Sequence, residues 1–113
     1  MSRLPYRSLR GRGAFSRVYR VGDRARYGAL TVLVTEGPSG PATVGFVAGK
    51  KIGSAAQRNR AKRRLREAAA RSALKADTVY VLIAEGGVLT AKFEQLVEWI
   101  SLAAATNVAE EVR

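Results

Sequence analysis

The sequence predicts an α+β sandwich in which helices pack on a four-stranded sheet. The chain has 113 residues, of which 47% are hydrophobic, enough for one domain with one core. Its segments alternate between amphipathic-helix periodicity and the short apolar runs of strands, in the order α-β-β-β-α-β-α. The expected organisation is a flexible basic arm at residues 1–12, a single α/β domain at residues 13–105 and a tail at residues 106–113.

The first predicted helix follows the basic arm. Phe15, Val18 and Tyr19 stand at i, i+3 and i+4, so their side chains share one face. Gly22 follows them, and glycine commonly ends a helix. The arm before this helix is rich in arginine and is interrupted by Pro5 and by glycines, so we expect it not to pack.

Strands are predicted on both sides of a turn cluster. Residues 29–35, "ALTVLVT", and residues 42–53, "ATVGFVAGKKIG", are rich in strand formers, and "GPSGP" between them is typical of a turn. We expect these two strands to pair as a β-hairpin. A short extra strand is expected around Arg24–Tyr27.

The most basic element is a predicted helix from Ala55 to about Ser72. Ser54 and Gln57 form an S-x-x-Q capping box at its start. Its apolar stripe is narrow, and arginine and lysine occupy both of its flanks. The stripe can pack on the sheet, which leaves an exposed surface that is almost wholly cationic.

The C-terminal part of the chain returns to a strand and a helix. Residues 78–84, "TVYVLIA", are almost continuously apolar, which predicts a buried strand. A last helix begins near Ala91. Trp99 lies beside the apolar face of this helix, so we expect it to pack rather than to stack on a ligand.

The positive charge of the chain is concentrated in its first 66 residues. The net charge is +11, and residues 1–66 carry 16 of the 20 lysines and arginines but only two of the nine acids. Arginine outnumbers lysine 15 to 5, and a guanidinium both forks onto phosphate and stacks on bases. A strongly basic half of a small domain indicates a surface that binds a polyanion.

Crowding of like charges destabilises the basic helix. Five like-charge pairs lie about one turn apart: Arg58/Lys62, Arg60/Arg64, Lys62/Arg66, Arg60/Arg63 and Arg63/Arg66. At about 0.2–0.5 kcal/mol each, they destabilise the helix by about 1–2.5 kcal/mol at low salt. Glu67 is placed to relieve part of this by pairing with Arg63 or Arg64. A merely solvated surface would mix both signs of charge, so the pattern favours a polyanionic partner.

Composition excludes several kinds of site. The chain has neither cysteine nor histidine, which removes disulfides, Cys/His zinc sites and the usual general base. The lack of cysteine fits the cytoplasmic location that we expect. The basic helix lacks the base-reading side chains and dimer seam of common DNA-binding motifs. Lys50 and Lys51 extend the positive charge onto the preceding loop, which suits the phosphate backbone of structured RNA.

The stretch "KKIGSAAQRNRAKRRLREA", residues 50–68, resembles the signature of the bacterial ribonuclease P protein component. In that family a V-S-K-K-x-G strand end leads into an R-N-R-x-K-R helix. "FSRVYRVG", residues 15–22, resembles the family's first helix, and "VYVLIA" resembles its buried last strand. Gly49 and Leu33 depart from the pattern, since relatives have serine and often an aromatic there. The positions that match the signature in register are Lys50, Lys51, Gly53, Arg58, Asn59, Arg60, Lys62 and Arg63.

The resemblance implies a fold feature and a function. The family's protein serves an endoribonuclease that removes the 5′ leader of precursor tRNA, and the catalytic site lies on a large RNA subunit that uses Mg²⁺. The implied partners are therefore ribonuclease P RNA and precursor tRNA, bound by one protein monomer, with no membrane or DNA partner and no catalytic residue on the protein. A left-handed crossover is also implied between the parallel strands that flank the basic helix, whereas general rules predict a right-handed one.

The resemblance also assigns roles to residues of this chain. Asn59 corresponds to a position near a metal, and its amide oxygen is a suitable Mg²⁺ ligand beside an RNA phosphate. Phe15 and Tyr19 match aromatics that line the cleft for the single-stranded leader, where stacking on bases is expected. Each of these three also has a structural interpretation, as ordinary helix surface or as core contacts. The expected RNA-binding residues are Lys50, Lys51, Arg58, Asn59, Arg60, Lys62, Arg63 and Arg66.

Two functions fit the basic helix taken by itself. One is the protein subunit of ribonuclease P. The other is a basic structural RNA-binding module, such as a ribosomal protein or an RNA chaperone, with no linked nuclease activity. The spacing of K-K-x-G and R-N-R and the pattern of Phe15 and Tyr19 favour the first. A membrane-lytic helix is excluded because the apolar stripe of the basic helix is too narrow.

Overall fold

The computed structural model describes residues 5–105, so the predicted tail at 106–113 and the first four residues of the arm lie outside the described part. The elements are β1 (Arg7–Ser8), α1 (Arg12–Val21), β2 (Asp23–Tyr27), β3 (Leu30–Glu36), β4 (Thr43–Ala48), a 3₁₀ turn (Lys50–Ile52), α2 (Ala55–Ala70), β5 (Thr78–Ala84), a second 3₁₀ turn (Gly86–Leu89) and α3 (Phe93–Ala105). The α+β class is confirmed, with five strands in the sheet.

The predicted hairpin between β3 and β4 is wrong. The strands lie in the order β1-β4-β5-β3-β2, so β5 separates β3 from β4. β5 runs antiparallel to β3 and parallel to β4, which places α2 in the connection between two parallel neighbours. The apolar run of β5 explains this position, because Val81 and Leu82 point to opposite faces and both are fully buried. β2 is the short extra strand that was expected, paired with β3.

The predicted flexible arm is wrong for residues 6–9. β1 pairs in parallel with the start of β4, and the Leu9 N–H donates to the Val44 carbonyl oxygen at 2.9 Å. Tyr6 is only 4% exposed, and its hydroxyl donates to the carbonyl oxygen of Arg66 at 3.1 Å. This strand makes the sheet five-stranded rather than four-stranded. Two residues are too few to show the alternation by which a strand is recognised in sequence.

The two faces of the sheet are covered unequally. α2 and α3 pack on one face, where Leu65, Leu96 and Ile100 belong to the larger core. α1 packs alone on the other face, where Val18 and Leu33 belong to a smaller cluster. The face that α1 covers alone therefore leaves more of its surface available for a ligand.

No helix within residues 5–105 is long and apolar enough to cross a bilayer.

The helix boundaries agree closely with the sequence prediction. α2 begins at Ala55, as expected, and ends at Ala70 rather than near Ser72. α3 begins at Phe93 rather than near Ala91. Trp99 packs over Gly28 of the β2–β3 turn, where a side chain would collide with the indole ring. Trp99 is thus a packing residue, as expected.

Candidate nucleic-acid interface

A capping box fixes where the basic helix begins. The Ser54 hydroxyl accepts from the Gln57 N–H at 3.2 Å, and the Gln57 carboxamide accepts from the Ser54 N–H at 2.8 Å. This confirms the predicted start of α2. In the 3₁₀ turn before it, Ile52 is buried while Lys50 and Lys51 are exposed. The turn therefore adds two cations to the N-terminal end of the helix.

The structure brings most of the predicted RNA-binding residues to the solvent side of α2. Asn59, Arg60, Arg63 and Arg66 are exposed, and Lys62 is half-buried. Arg58 is half-buried because its guanidinium donates to the Gly53 carbonyl oxygen at 3.0 Å, so this residue also supports the turn.

The charge of α2 is not neutralised by carboxylates of residues 5–105. No cation of α2 forms an ion pair with a carboxylate of residues 5–105. The expected pairing of Glu67 with Arg63 or Arg64 is absent from this part of the chain, although Glu67 is exposed on the same helix. The like-charge repulsion estimated from the sequence therefore remains, and an external polyanion would relieve it.

Arg64 differs from its neighbours, and sequence periodicity did not reveal this. Its guanidinium turns inward and donates to the carbonyl oxygens of Val88 at 2.5 Å and Ala91 at 2.6 Å. Arg64 thereby ties α2 to the loop that precedes α3. Its charge contributes to packing between elements and not to the exposed cationic surface.

Arg66 takes part in an aromatic cluster that the sequence analysis missed. The guanidinium carbon of Arg66 lies 5.6 Å from the centroid of the Phe46 ring. Tyr6 contacts Phe46 from another side, with ring centroids 5.9 Å apart and an interplanar angle of 58°. Burial raises the pKa of the Tyr6 hydroxyl above its ordinary value, and the charge of Arg66 lowers it in part. The isolated tyrosine of the basic arm was the one available sequence signal for this cluster.

The two aromatics assigned to the leader cleft have different environments. Phe15 is half-buried and sits on Gly45, where a Cβ atom would lie 2.6 Å from its ring. Tyr19 is 45% exposed, one turn further along α1. Phe15 is therefore also a core contact, whereas Tyr19 presents its ring to solvent. Both remain predicted leader contacts.

A groove runs between Phe15 of α1 and Arg66 of the basic helix α2. It has a volume of about 270 Å³, and its lining includes Arg10, Phe15, Phe46 and Arg66. It thus brings together one residue assigned to the leader and one assigned to the RNA subunit. Lys50 and Lys51 line a separate groove with Thr31, which Tyr19 does not reach.

The described residues offer few ligands for a metal ion. Among residues 5–105 no group of three or more His, Cys, Asp or Glu side chains could hold one. Asn59 is exposed on the first part of α2 and supplies a single neutral amide oxygen. Mg²⁺ prefers several oxygen ligands in octahedral geometry, so Asn59 fits a magnesium site only where RNA phosphates and water provide the others.

Comparison with known proteins identifies one family. The family model described as Ribonuclease P matches residues 5–106. Among curated proteins, the ribonuclease P protein component of Symbiobacterium thermophilum is 51% identical over 61 residues, which are 53% of this chain and 53% of that protein. The protein component of Caulobacter vibrioides is 46% identical over 71 residues, 59% of this chain and 47% of that protein. The chain thus spans about half the length of the curated relatives it matches.

Solved structures support the same fold. The chain is similar to the RNase P protein from Thermotoga maritima, with a TM-score of 0.76 and 22% identity over 86% of this chain and 94% of that one. It is also similar to the RNase P protein from Staphylococcus aureus, with a TM-score of 0.66 and 22% identity over 93% of this chain and 92% of that one. At this identity the likeness concerns the fold alone.

Proposed function

The chain belongs to the Ribonuclease P family, and on that premise we propose that it is the protein subunit of a ribonucleoprotein that matures the 5′ end of tRNA. In this role it binds the catalytic ribonuclease P RNA and the 5′ leader of precursor tRNA. The complex contains one copy of the protein and acts in the cytoplasm. The phosphodiester bond is cut at the RNA subunit, and the protein contributes binding and orientation.

The exposed cationic surface of α2 supports this proposal most directly. Arg60 and Arg63 are exposed, and neither has a carboxylate partner within residues 5–105. Lys50 and Lys51 continue the same charge from the adjoining turn. Neutralising this surface with RNA phosphates releases counterions and removes the repulsion between arginines one turn apart. We assign this surface to the RNA subunit.

The exposed ring of Tyr19 supports the assignment of the leader to the α1 side of the sheet. Single-stranded RNA presents unpaired bases, and an exposed aromatic ring provides a stacking surface for them. The tyrosine hydroxyl keeps one end of the ring wet, which suits a cleft that exchanges between water and RNA. Phe15 would bound the same path and also hold α1 on the sheet.

In this proposal, Mg²⁺ is held mainly by the RNA subunit. The ion, when bound, supplies charge stabilisation for the phosphate being cleaved. Asn59 would contribute one oxygen beside RNA phosphates, while Arg58 and Arg60 would hold those phosphates in place. The protein thereby lowers the concentration of free Mg²⁺ needed for cleavage, because its cations neutralise part of the RNA charge.

Reconstitution tests the proposed function. The full chain is mixed with a bacterial ribonuclease P RNA, and precursor-tRNA cleavage is measured as Mg²⁺ is lowered. We expect cleavage to persist at Mg²⁺ concentrations where the RNA alone is inactive, and no cleavage by the protein alone. RNA binding with no effect on cleavage would instead indicate a structural RNA-binding module. Efficient cleavage by RNA-free protein would place the active site on the protein and overturn the proposal.

A further inference from the structure

Within the described part of the chain, the outer edge of β4 is open beyond its first two residues. β1 pairs only with Thr43 and Val44, and within residues 5–105 no strand continues along Gly45–Ala48 on that side. The chain turns away after Leu9 towards α1. The groove of about 270 Å³ described above opens at this point, so its floor is the unpaired part of a sheet edge.

This edge presents main-chain groups that no strand within residues 5–105 uses. In a parallel ladder, alternate residues bond to opposite neighbouring strands. The Val44 carbonyl oxygen accepts from Leu9 on the outer side at 2.9 Å. Phe46, two residues later, therefore directs its N–H and C=O to the same side, where no strand pairs with it in the described chain. Such a donor and acceptor can bond the edge of a nucleobase or a ribose hydroxyl.

The groove combines apolar walls with two cations. Phe15 forms one wall, where its ring packs directly over Gly45. Phe46 forms the other wall, and the guanidinium carbon of Arg66 lies 5.6 Å from its ring centroid. Stacking of this kind orients a guanidinium without neutralising it. Arg10 and Arg66 are both exposed, and neither forms an ion pair with a carboxylate of residues 5–105.

Charge decides which partner fits. An open sheet edge can also accept an extended peptide, whose main chain is neutral. Two exposed arginines at the groove, unpaired with any carboxylate of residues 5–105, favour instead a partner with an anionic group on every unit. Aromatic walls beside those arginines match a nucleotide, which combines a flat base with a phosphate.

We infer that the groove at the β4 edge binds one nucleotide of single-stranded RNA, with its base against Phe15 and Phe46 and its phosphates at Arg10 and Arg66. The inference rests on the proposed function and adds Arg10, Phe46 and the β4 edge to the RNA-binding surface. The nucleotide comes from the precursor leader or from an unpaired segment of ribonuclease P RNA, and both sources present the same chemistry.

Arg10→Gln tests this inference, with Arg24→Gln as its matched control. Arg24 is an exposed arginine on β2, at the opposite edge of the sheet. Loss of one phosphate contact should lower affinity about fivefold at 0.1 M salt and reduce the log–log salt slope by about 0.7. Phe46→Leu keeps the apolar bulk but removes the stacking surface, so it should lower affinity at least about fivefold. Arg24→Gln should change neither quantity.

Two titrations at one salt concentration identify the source. Protein is titrated with ribonuclease P RNA, and the reconstituted holoenzyme is titrated with precursor and mature tRNA. A loss confined to precursor tRNA assigns the nucleotide to the leader, and a loss of affinity for ribonuclease P RNA assigns it to that RNA.

A second control separates this inference from the proposed function. If Arg60→Gln with Arg63→Gln weakens binding of ribonuclease P RNA while Arg10→Gln and Phe46→Leu bind every RNA like wild type, the groove is not a nucleotide site and the proposed function stands. If the wild-type chain binds none of these RNAs, both are wrong.

Discussion

The two flanks of α2 carry the same charge but use it differently. On the flank towards α3, Arg64 donates to two carbonyl oxygens and the guanidinium carbon of Arg71 lies 5.3 Å from the Phe93 ring centroid. On the opposite flank, Asn59 and Arg63 are exposed, and no hydrogen bond joins their side chains to residues 5–105. Where α3 and the loop before it cover the helix, an arginine thus becomes part of the packing. The cations that stay exposed, including Arg60 and Arg63, can serve an external polyanion.

On the flank towards α3, the Arg64 guanidinium donates to carbonyl oxygens and not to carboxylates. Val88 and Ala91 belong to the 3₁₀ turn and loop before α3, whose carbonyl groups need donors. A hydrogen bond from a charged donor to a neutral carbonyl is stronger than one from a neutral donor. Such a pair also avoids the cost of burying a carboxylate. Arg64 therefore stabilises the α2–α3 face, while its charge adds little to the exposed surface.

The largest effect is expected for Arg64→Met, which keeps the apolar stem and removes the guanidinium. Two charge-assisted hydrogen bonds, at the lower end of 1.5–3 kcal/mol each, predict a loss of about 3 kcal/mol in the free energy of unfolding. Arg63→Met is the matched control on the opposite flank and should stay within about 0.5 kcal/mol of wild type. Urea denaturation measures both. Equal losses for the two variants would remove the distinction between the flanks.

The next effect concerns the affinity of the exposed cations of α2 for RNA. Arg60→Gln with Arg63→Gln should reduce the log–log salt slope for ribonuclease P RNA by about 1.4–1.8, which lowers affinity about 25- to 60-fold at 0.1 M salt. Thermal stability should be unchanged or slightly higher, because a like-charge pair is removed. Arg58 is left intact because it also bonds Gly53. An unchanged slope, or a large fall in melting temperature, would contradict the assignment of this surface to RNA.

Local sequence patterns predicted the basic helix well and its surroundings poorly. Ser54 and Gln57 lie three residues apart, so a local rule placed the start of α2 correctly. Phe46 and Arg66 lie twenty residues apart in the chain and meet only because β4 and α2 pack together. Helical periodicity can place Arg64 on a flank, but which element covers that flank depends on the whole fold.

The sheet order was beyond local patterns for the same reason. β3 and β4 are separated by a turn-rich segment, which is the usual signal of a hairpin. The deciding factor was the apolar character of β5, which gains most from the centre of the sheet, where both of its faces are covered. β5 begins more than forty residues after β3 ends, so no local pattern reports that these two strands pair. The family resemblance implied that the strands before and after α2, β4 and β5, are parallel. The residue patterns alone did not predict this.

A smaller effect tests whether the α1 side of the sheet also serves RNA. Tyr19→Ala should weaken holoenzyme binding of precursor tRNA by about 1 kcal/mol, the lower end for one stacked base, since Tyr19 is only 45% exposed. Mature tRNA has no leader, so its affinity should be unchanged. Tyr19→Phe keeps the ring and should bind both RNAs like wild type. Equal losses of precursor and mature tRNA with Tyr19→Ala would show that Tyr19 is structural.

The smallest effect concerns Tyr6, which ties the N-terminal strand to α2 next to the flank that carries Arg63. Tyr6→Phe removes the hydrogen bond to the Arg66 carbonyl oxygen and should cost about 0.5–1.5 kcal/mol of unfolding free energy at neutral pH. Burial raises the pKa of Tyr6 in the folded protein, so the folded state favours the neutral phenol. This stabilisation is fully present below the unfolded pKa of 10.0 and is lost as the pH rises through the folded pKa.

The advantage of wild type over Tyr6→Phe should therefore be constant from neutral pH to about pH 10 and shrink above it. Tyr80 also has a pKa raised mainly by burial, but it is present in both proteins, so its contribution cancels in the difference. Urea denaturation at a series of pH values measures that difference. If the two stability curves stayed parallel above pH 10, the Tyr6 hydroxyl would ionise equally easily in the folded and unfolded chains. The N-terminal strand would then not be held against α2 by a buried phenol.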